Sequence, residues 1–438
     1  MHYSNETIII ETPDGAKTEK NAGISLLALS EEFKSNFATR IFAAKVDNEI
    51  RELNFQLYQD CKVEFIDLTY SDGIRIYQRS LTFILIKAVN DLFPKRKVEI
   101  KHSLSNQGLY CQITGDKPLE LYEIKLIENK MREIATAKIP FVKKLIPKED
   151  ARKIFEKQGR MDRYEAIEHR IKPTVTIYEC GGLEDYFYGY MAPHTGYVDK
   201  FELIEYPPGL VMMHPQKEEP CRVPEFVDHE KLFRIFEEFS NWSRILGVSN
   251  TGALNNIISS GEIAEMIRVS EALHENKLAH MIAEGTTKKK VVLIAGPSSS
   301  GKTTFAKRLS IQLRVNGLKP FTISLDDYYL DKKDIPLGDD GKPDLEALEA
   351  LDVELFNKHL YMLVSNEEVE IPVYSFSNGG RQPKGRPVKI GDDQIILIEG
   401  IHGLNNKLTE SIPEESKFRI YVSALTYILN LLSSGMLS

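Results

Sequence analysis

Residues 291–309 read VVLIAGPSSSGKTTFAKRL, and this stretch decides how the C-terminal part of the chain is read. "VVLIA" is short and wholly apolar, as expected for a parallel strand covered on both faces. Gly296 to Thr303 then fits the spacing G-x-x-x-x-G-K-[ST]. The glycines let backbone N–H groups turn inward around phosphate oxygens, and the helix that follows adds its positive N-terminal end. Ala306, Leu309 and Leu313 recur at helical spacing, and Gly317 and Pro320 stop the helix. Strand before and helix after turn a short pattern into an expected nucleotide cradle of Gly296, Pro297, Ser298, Ser299, Ser300, Gly301, Lys302, Thr303 and Thr304. In that cradle Lys302 neutralises β/γ-phosphate charge and Thr303 holds Mg²⁺, while the three serines contribute mainly backbone donors.

Two further apolar runs end in acids. "PFTISL" leads into Asp326-Asp327-Tyr328-Tyr329, and "QIILIEG" ends at Glu399. Acids at the carboxyl ends of parallel strands point into the crevice where ligands bind. Phosphoryl transfer to an alcohol needs one carboxylate to accept the hydroxyl proton and another to support the metal. Asp326 suits the first task and Glu399 the second, with Asp327 the weaker candidate.

Composition bounds the remaining possibilities. The chain has 438 residues, enough for about three domains. It is 42% hydrophobic and 27% charged, ordinary for packed domains. No apolar run reaches the ~18 residues that would cross a bilayer, and the N-terminus lacks a signal-peptide plan. Cys61, Cys111, Cys180 and Cys221 are scattered, with neither a CxxC pair nor disulfide-dense spacing. A reducing, cytoplasmic setting without a membrane partner is expected. The net charge of −8 argues against a globally basic nucleic-acid binder. Between Lys125 and Lys172, however, 14 Lys or Arg face 8 Asp or Glu. That excess reads as a solvated helical surface, with an RNA-facing patch as the alternative.

The N-terminal segments mix strands and helices. "TIIIETPDG" turns at Pro13-Asp14-Gly15, a hairpin signal. "NAGISLLALSEEF" is helical, and "IFAAKVDNEIREL" and "CKVEFIDL" read as strands with a turn at Asp47-Asn48. "RSLTFILIKAVNDLFP", from Arg79 to Pro94, is an apolar helix ended by proline. "YEIKLIENKMREIATAKIPFVKKLIPKEDARKIFEKQG" reads as helix, strand and a second helix from Lys148. "LEDYFYGYMAPHTGYVDKFELIEYPPG" is rich in aromatics that suit strand cores, with base stacking the alternative. From Val227 to Glu284 the pattern is helical, and "TTKKK" at 286–290 is a polar boundary.

These segments carry resemblances. Residues 7–68 resemble the TGS domain, a ubiquitin-like β-grasp module. The following run resembles the editing domain of threonyl-tRNA synthetases. That family's metal-type constellation is an HxxxH helix followed by a cysteine and a histidine. Here the two helix positions fall on Arg79 and Phe83, and Phe187 stands for the cysteine. His194 is a displaced histidine and Cys180 a distant substitute, so no metal is expected there. "GPSSSGKTT", "SLDDYY", "PVYSF" and "LIEGIHGL" resemble the uridine kinase and phosphoribulokinase family of P-loop kinases, from about Lys289 to Ala424. The resemblance implies ATP and Mg²⁺ as cofactors, Asp326 as general base, and Tyr329 and Tyr374 near a nucleoside. It also implies an acid near the ribose hydroxyls, for which Asp344 is the choice and Glu349 another alignment, and Arg381 as a further substrate contact.

The expected fold is therefore multidomain α+β and α/β. A β-grasp domain spans 1–68, an editing-like α+β domain 69–220 and a helical connector 221–288. A P-loop kinase-like parallel sheet flanked by helices spans 289–438. The expected function is ATP-dependent transfer to the 5′-hydroxyl of a nucleoside, uridine-like. The alternatives are a kinase for another small alcohol such as a phosphorylated sugar, or an RNA- or tRNA-sensing module with an inactive kinase domain. Family kinases continue into an arginine-rich lid, whereas no Arg or Lys follows Arg419 in this chain. Nucleotide binding is accordingly expected to survive better than turnover, and the apolar letters Ile428, Leu429, Leu431 and Leu432 to form one more helix or an exposed end.

Overall fold

The computed structural model describes residues 7–104, 108–284, 289–338 and 341–423. The apolar tail around Ile428 to Leu432 lies outside them. The chain divides into two compact units, one ending at Ile263 and the other beginning at Ala264.

The N-terminal unit opens with the expected hairpin. Thr7–Glu11 pairs antiparallel with Lys17–Asn21, and Gly15 takes the left-handed φ of +83° that the turn requires. A second hairpin joins Ala43–Val46 to Glu49–Glu52 through Asp47 and Asn48, at φ of 49° and 69°. Two successive positive φ angles are what a tight two-residue hairpin demands, and Asp and Asn tolerate them best among residues with a side chain. With Cys61–Ile66 these strands make a five-stranded mixed sheet. The helix Leu26–Phe33 packs Leu26 and Leu29 into its core, and Ser25 caps it by accepting the Ala28 N–H at 3.1 Å.

The apolar helix expected from Arg79 begins earlier and runs from Ser71 to Leu92. Its first two turns carry polar letters that hide the start. Gly73 permits the entry, because a Cβ there would lie 2.0 Å from the Asp67 carbonyl oxygen. The helix is buried almost all round. It packs against the helix Leu121–Thr136 and against an antiparallel sheet ordered Glu202–Tyr206, Gly209–Met213, Gly108–Thr114, Lys97–Leu104. A separate three-stranded sheet, Val142–Pro147, Thr174–Cys180 and Leu183–Asp185, is covered by Ala151 and Phe155 of the helix Lys148–Lys157. The helical stretch after Val227 resolves into Glu230–Ile245, Thr251–Ser260 and Ile263–Glu284, so the division between units falls within it.

The C-terminal unit is built on four parallel strands, ordered Lys319–Ser324, Gln394–Glu399, Val291–Ala295, Lys417–Tyr421. Period-two alternation divides their side chains between two cores. Val291, Leu293, Ile396 and Ile398 face one layer with Phe356 and Leu360 of the helix Val353–Val364. Val292, Ile294, Ile395 and Leu397 face the other, with Ala306, Leu309 and Leu313 of the helix Lys302–Val315 and with Leu278 and Ile282. Both faces being covered explains why these strands read as unbroken apolar runs.

Candidate active site

The site begins where the strand Val291–Ala295 ends. Gly296 leaves no room for a side chain, since a Cβ would lie 2.2 Å from the Val422 carbonyl oxygen and 2.7 Å from Ser300 Oγ. Ser299 and Gly301 adopt φ of 60° and 88°, and Gly301 is the N-cap of the helix Lys302–Val315. Alternation of ordinary and left-handed backbone turns successive N–H groups toward one concavity, an anion nest completed by the helix N-terminus. Lys302 Nζ folds back to donate to the Pro297 carbonyl at 2.9 Å. Ser300 Oγ is buried without a hydrogen-bond partner among the described residues. An orphaned hydroxyl inside an N–H-lined nest fits a phosphate group.

Across from the nest, at the end of the adjacent strand, Glu399 is 8% exposed. Thr303 Oγ1 lies 3.3 Å from both of its carboxylate oxygens, and Ser324 Oγ donates to Oε1 at 3.1 Å. Among the described residues Glu399 makes no ion pair. This oxygen donor set of buried carboxylate and threonine hydroxyl fits a hard divalent cation.

Ser324 also accepts the Asp326 N–H at 3.4 Å, and so ties the acid at one strand end to the acid at the next. Partial burial, then the negative charge of Glu399, raises the Asp326 pKa, while Lys302 opposes the rise. That is the direction a proton acceptor needs. Asp327 is also raised, chiefly by burial, against the pull of Arg386 at 3.4 Å and the Tyr374 backbone N–H. The carboxylate of Asp327 is thus engaged by two donors, whereas that of Asp326 accepts no hydrogen bond among the described residues and is the more accessible of the pair.

Tyr329 and Tyr374 lie together, with ring centroids 5.6 Å apart. Phe376 joins them at 5.8 Å and 5.0 Å. It was legible in "PVYSF", where it stands two residues beyond Tyr374, but its role needed the fold. The Tyr329 hydroxyl donates to the Leu345 carbonyl at 2.9 Å and so holds the segment that follows Asp344. The Asp344 carboxylate accepts the Glu346 N–H at 2.9 Å, and Glu349 sits exposed on the next turn. Arg381 is placed as a clamp. Its guanidinium donates at 3.0 Å to the Tyr328 and Tyr329 carbonyls and pairs with Asp352 at 3.0 Å. Ser324, Arg386 and the Arg381–Asp352 pair were not singled out by sequence, because nothing local marks a serine, an exposed arginine or a helix cap as part of a site.

In the N-terminal unit, Phe83 lies 5.8 Å from the Phe141 ring and 5.0 Å from the Phe187 ring, so an aromatic cluster fills that part of the core. Arg79 donates to the Tyr190 carbonyl at 3.2 Å, and Cys180 is fully buried. His194 lies apart from them, beside Tyr197. Among the described residues no three His, Cys, Asp or Glu side chains gather as a metal site, and no helix is long and apolar enough to cross a membrane.

Comparison with known proteins divides along the same line. The N-terminal half is similar to threonine–tRNA ligases. That of Methylococcus capsulatus is 26% identical over 198 residues, covering 45% of this chain and 31% of the relative. That of Citrifermentans bemidjiense is 29% identical over 196 residues, with the same coverage. The chain thus spans about a third of the length of these curated relatives. Among solved structures, a protein described as "a Possible Uridine Kinase from Bacillus stearothermophilus" is 23% identical. The match covers 36% of this chain and 86% of that one, with a TM-score of 0.30. The D-glycerate 3-kinase of Cryptococcus neoformans is 24% identical over 31% of this chain and 52% of its own, with a TM-score of 0.22. Residues 291–429, which include every residue of the site assembled above, match the model of the Phosphoribulokinase / Uridine kinase family.

Proposed function

We propose that the C-terminal unit is an ATP- and Mg²⁺-dependent kinase that phosphorylates the 5′-hydroxyl of a nucleoside. The observation that carries this reading is the linked set Thr303–Glu399–Ser324–Asp326 set against the phosphate nest. Bound MgATP supplies the phosphoryl group and charge neutralisation. The nest from Gly296 to Thr304 holds the phosphates, and Lys302 leaves the Pro297 carbonyl to meet the β/γ oxygens. Thr303 and Glu399 hold the cation. Asp326 takes the hydroxyl proton as the new oxygen–phosphorus bond forms and the bond to the leaving diphosphate breaks. Tyr329, Tyr374 and Phe376 give a planar base an aromatic wall, with Asp344 beside it for the sugar hydroxyls.

A panel of nucleosides and phosphorylated sugars, incubated with ATP and Mg²⁺, tests the proposal. Phosphorylation of a nucleoside that disappears in Lys302→Ala supports it. Transfer only to a sugar would move the substrate class, and a chain that neither binds ATP nor transfers phosphate to any member would refute the kinase reading.

A second reading is favoured by one observation, the similarity of the N-terminal half to threonine–tRNA ligases. In it, the TGS-like and editing-like regions bind tRNA and the nucleotide site acts as a switch. A gel-shift of the full chain with tRNA at low salt tests it, and absence of a shift there counts against it.

A further inference from the structure

A cavity of about 330 Å³ lies within the N-terminal unit, between the turn that follows the helix Leu26–Phe33 and the segment 194–197. Lys34, Arg40, Lys138 and His194 line it, with Glu31 the one acid and Tyr197 an aromatic wall. Lys34 is paired with Glu31 at 2.9 Å. Arg40 pairs with Asp199 at 3.2 Å and donates to the Gly196 carbonyl. Lys138 makes no ion pair among the described residues, so one cation is left uncompensated.

Two local features set how Lys138 and His194 line the cavity. Lys138 has a φ of 51°, in the left-handed region where glycine would be free of strain. The residue follows Ala137, the C-cap of the helix Leu121–Thr136, where a left-handed residue commonly ends a helix. His194 is oriented by its neighbour. The Gly196 N–H donates to Nδ1 at 3.1 Å, so in the neutral ring the proton sits on Nε2 and that nitrogen is a donor. Burial, then Lys138 and Arg40, lower the His194 pKa, and a bound anion would offset the two positive charges.

The donors come from three separate segments, around residues 34–40, 138 and 194. Convergence from three directions suits the tetrahedral oxygens of a phosphate better than a planar carboxylate. The cavity leaves space beyond the phosphate for a small organic portion against Tyr197 and Ile41. We propose that this cavity binds a small phosphate monoester, at a site separate from the phosphate nest of the C-terminal unit.

Calorimetric titration of the full chain with inorganic phosphate and with ribose 5-phosphate tests this. The Lys302→Ala background weakens the competing nest, whose backbone donors remain. Substitutions at Lys138 and His194 then report on the N-terminal cavity whether or not the kinase reading holds. One site is expected, weakened about tenfold or more by Lys138→Gly and by His194→Phe. Lys138→Gly relieves backbone strain, so its melting temperature should be unchanged or raised while binding falls. Absence of binding, or binding that both substitutions leave intact, overturns the proposal. A site that takes a 5′-phosphorylated RNA but neither small phosphate assigns the surface to a polynucleotide and overturns it equally.

Discussion

Thr303 and Glu399, 96 positions apart in the chain, meet with the threonine hydroxyl 3.3 Å from both carboxylate oxygens. One begins a helix and the other ends a strand, and the parallel register of Ile294 with Glu399 brings them together. Glu399 is buried and without an ion pair among the described residues, an arrangement that favours a cation. Glu399→Gln keeps an acceptor for the two hydroxyls and is expected to hold the melting temperature. It should lower Mg²⁺-dependent turnover by about 10²–10³-fold, in the range seen when one electrostatic stabiliser is removed. A magnesium titration of turnover beside thermal melting checks both signs.

Asp326 has a raised pKa, so its ionised form is disfavoured in the folded chain. The unfolded chain releases that proton at lower pH. Stability attached to this group is thus present at acid pH and is lost as pH rises through its unfolded and then its folded value. Asp326→Asn should leave neutral-pH stability equal or higher. It should cut turnover by about 10²–10⁴-fold, the usual share of a general base. In the unmodified chain the acid limb of kcat/KM, which reports the free enzyme, should lie above the ordinary aspartate value of 3.8. A pH–rate profile with its acid limb below that value would assign the proton to another group.

Gly296 and Gly301 should resist substitution for different reasons. Alanine at 296 meets the Val422 carbonyl and must displace backbone, whereas alanine at 301 meets nothing within 4 Å and suffers only its φ of +88°. Gly301→Ala is expected to cost about 1–2 kcal/mol. Gly296→Ala should cost more, about 1–3 kcal/mol from overpacking together with loss of nucleotide binding. Urea denaturation and nucleotide titration of the two variants separate strain from collision.

Arg381 holds two carbonyls and Asp352 together beneath the aromatic wall. Arg381→Ala is expected to destabilise the unit by about 1–3 kcal/mol, leaving half-buried acceptors unpaired. Arg381→Lys should recover only part, because an ammonium cannot reproduce the guanidinium fork. Unchanged stability with a raised KM would instead identify a direct substrate contact.

His102 and His214 are buried, and burial lowers both pKa values to about 4. Each is protonated in the unfolded chain below about 6.5, so the N-terminal unit should lose stability as pH falls from there toward 4. The slope from each is at most about 1.4 kcal/mol per pH unit. His102 stacks on Phe236 at 3.8 Å, in the helix that also carries the chain's single tryptophan, Trp242. Tryptophan fluorescence during urea unfolding at pH 7 and pH 5 reads the loss, and His102→Phe should remove the share of His102 and leave that of His214.

The sequence by itself determined the local parts. Periodicity and turn chemistry marked the Asp47-Asn48 hairpin, the strands at 291–295 and 394–399, and the helix after Gly301, because each is settled by contacts between near neighbours. The nest was legible for the same reason, since its donors are consecutive backbone groups. Only the tertiary structure decided what those parts face. Parallel register puts Ser324 between Glu399 and Asp326, and the return of residues 374–381 sets Phe376 on Tyr329 and Arg381 under it. The cavity at Lys138 and His194 likewise joins segments more than fifty residues apart. Such meetings depend on sheet order and chain return, which no window of sequence contains.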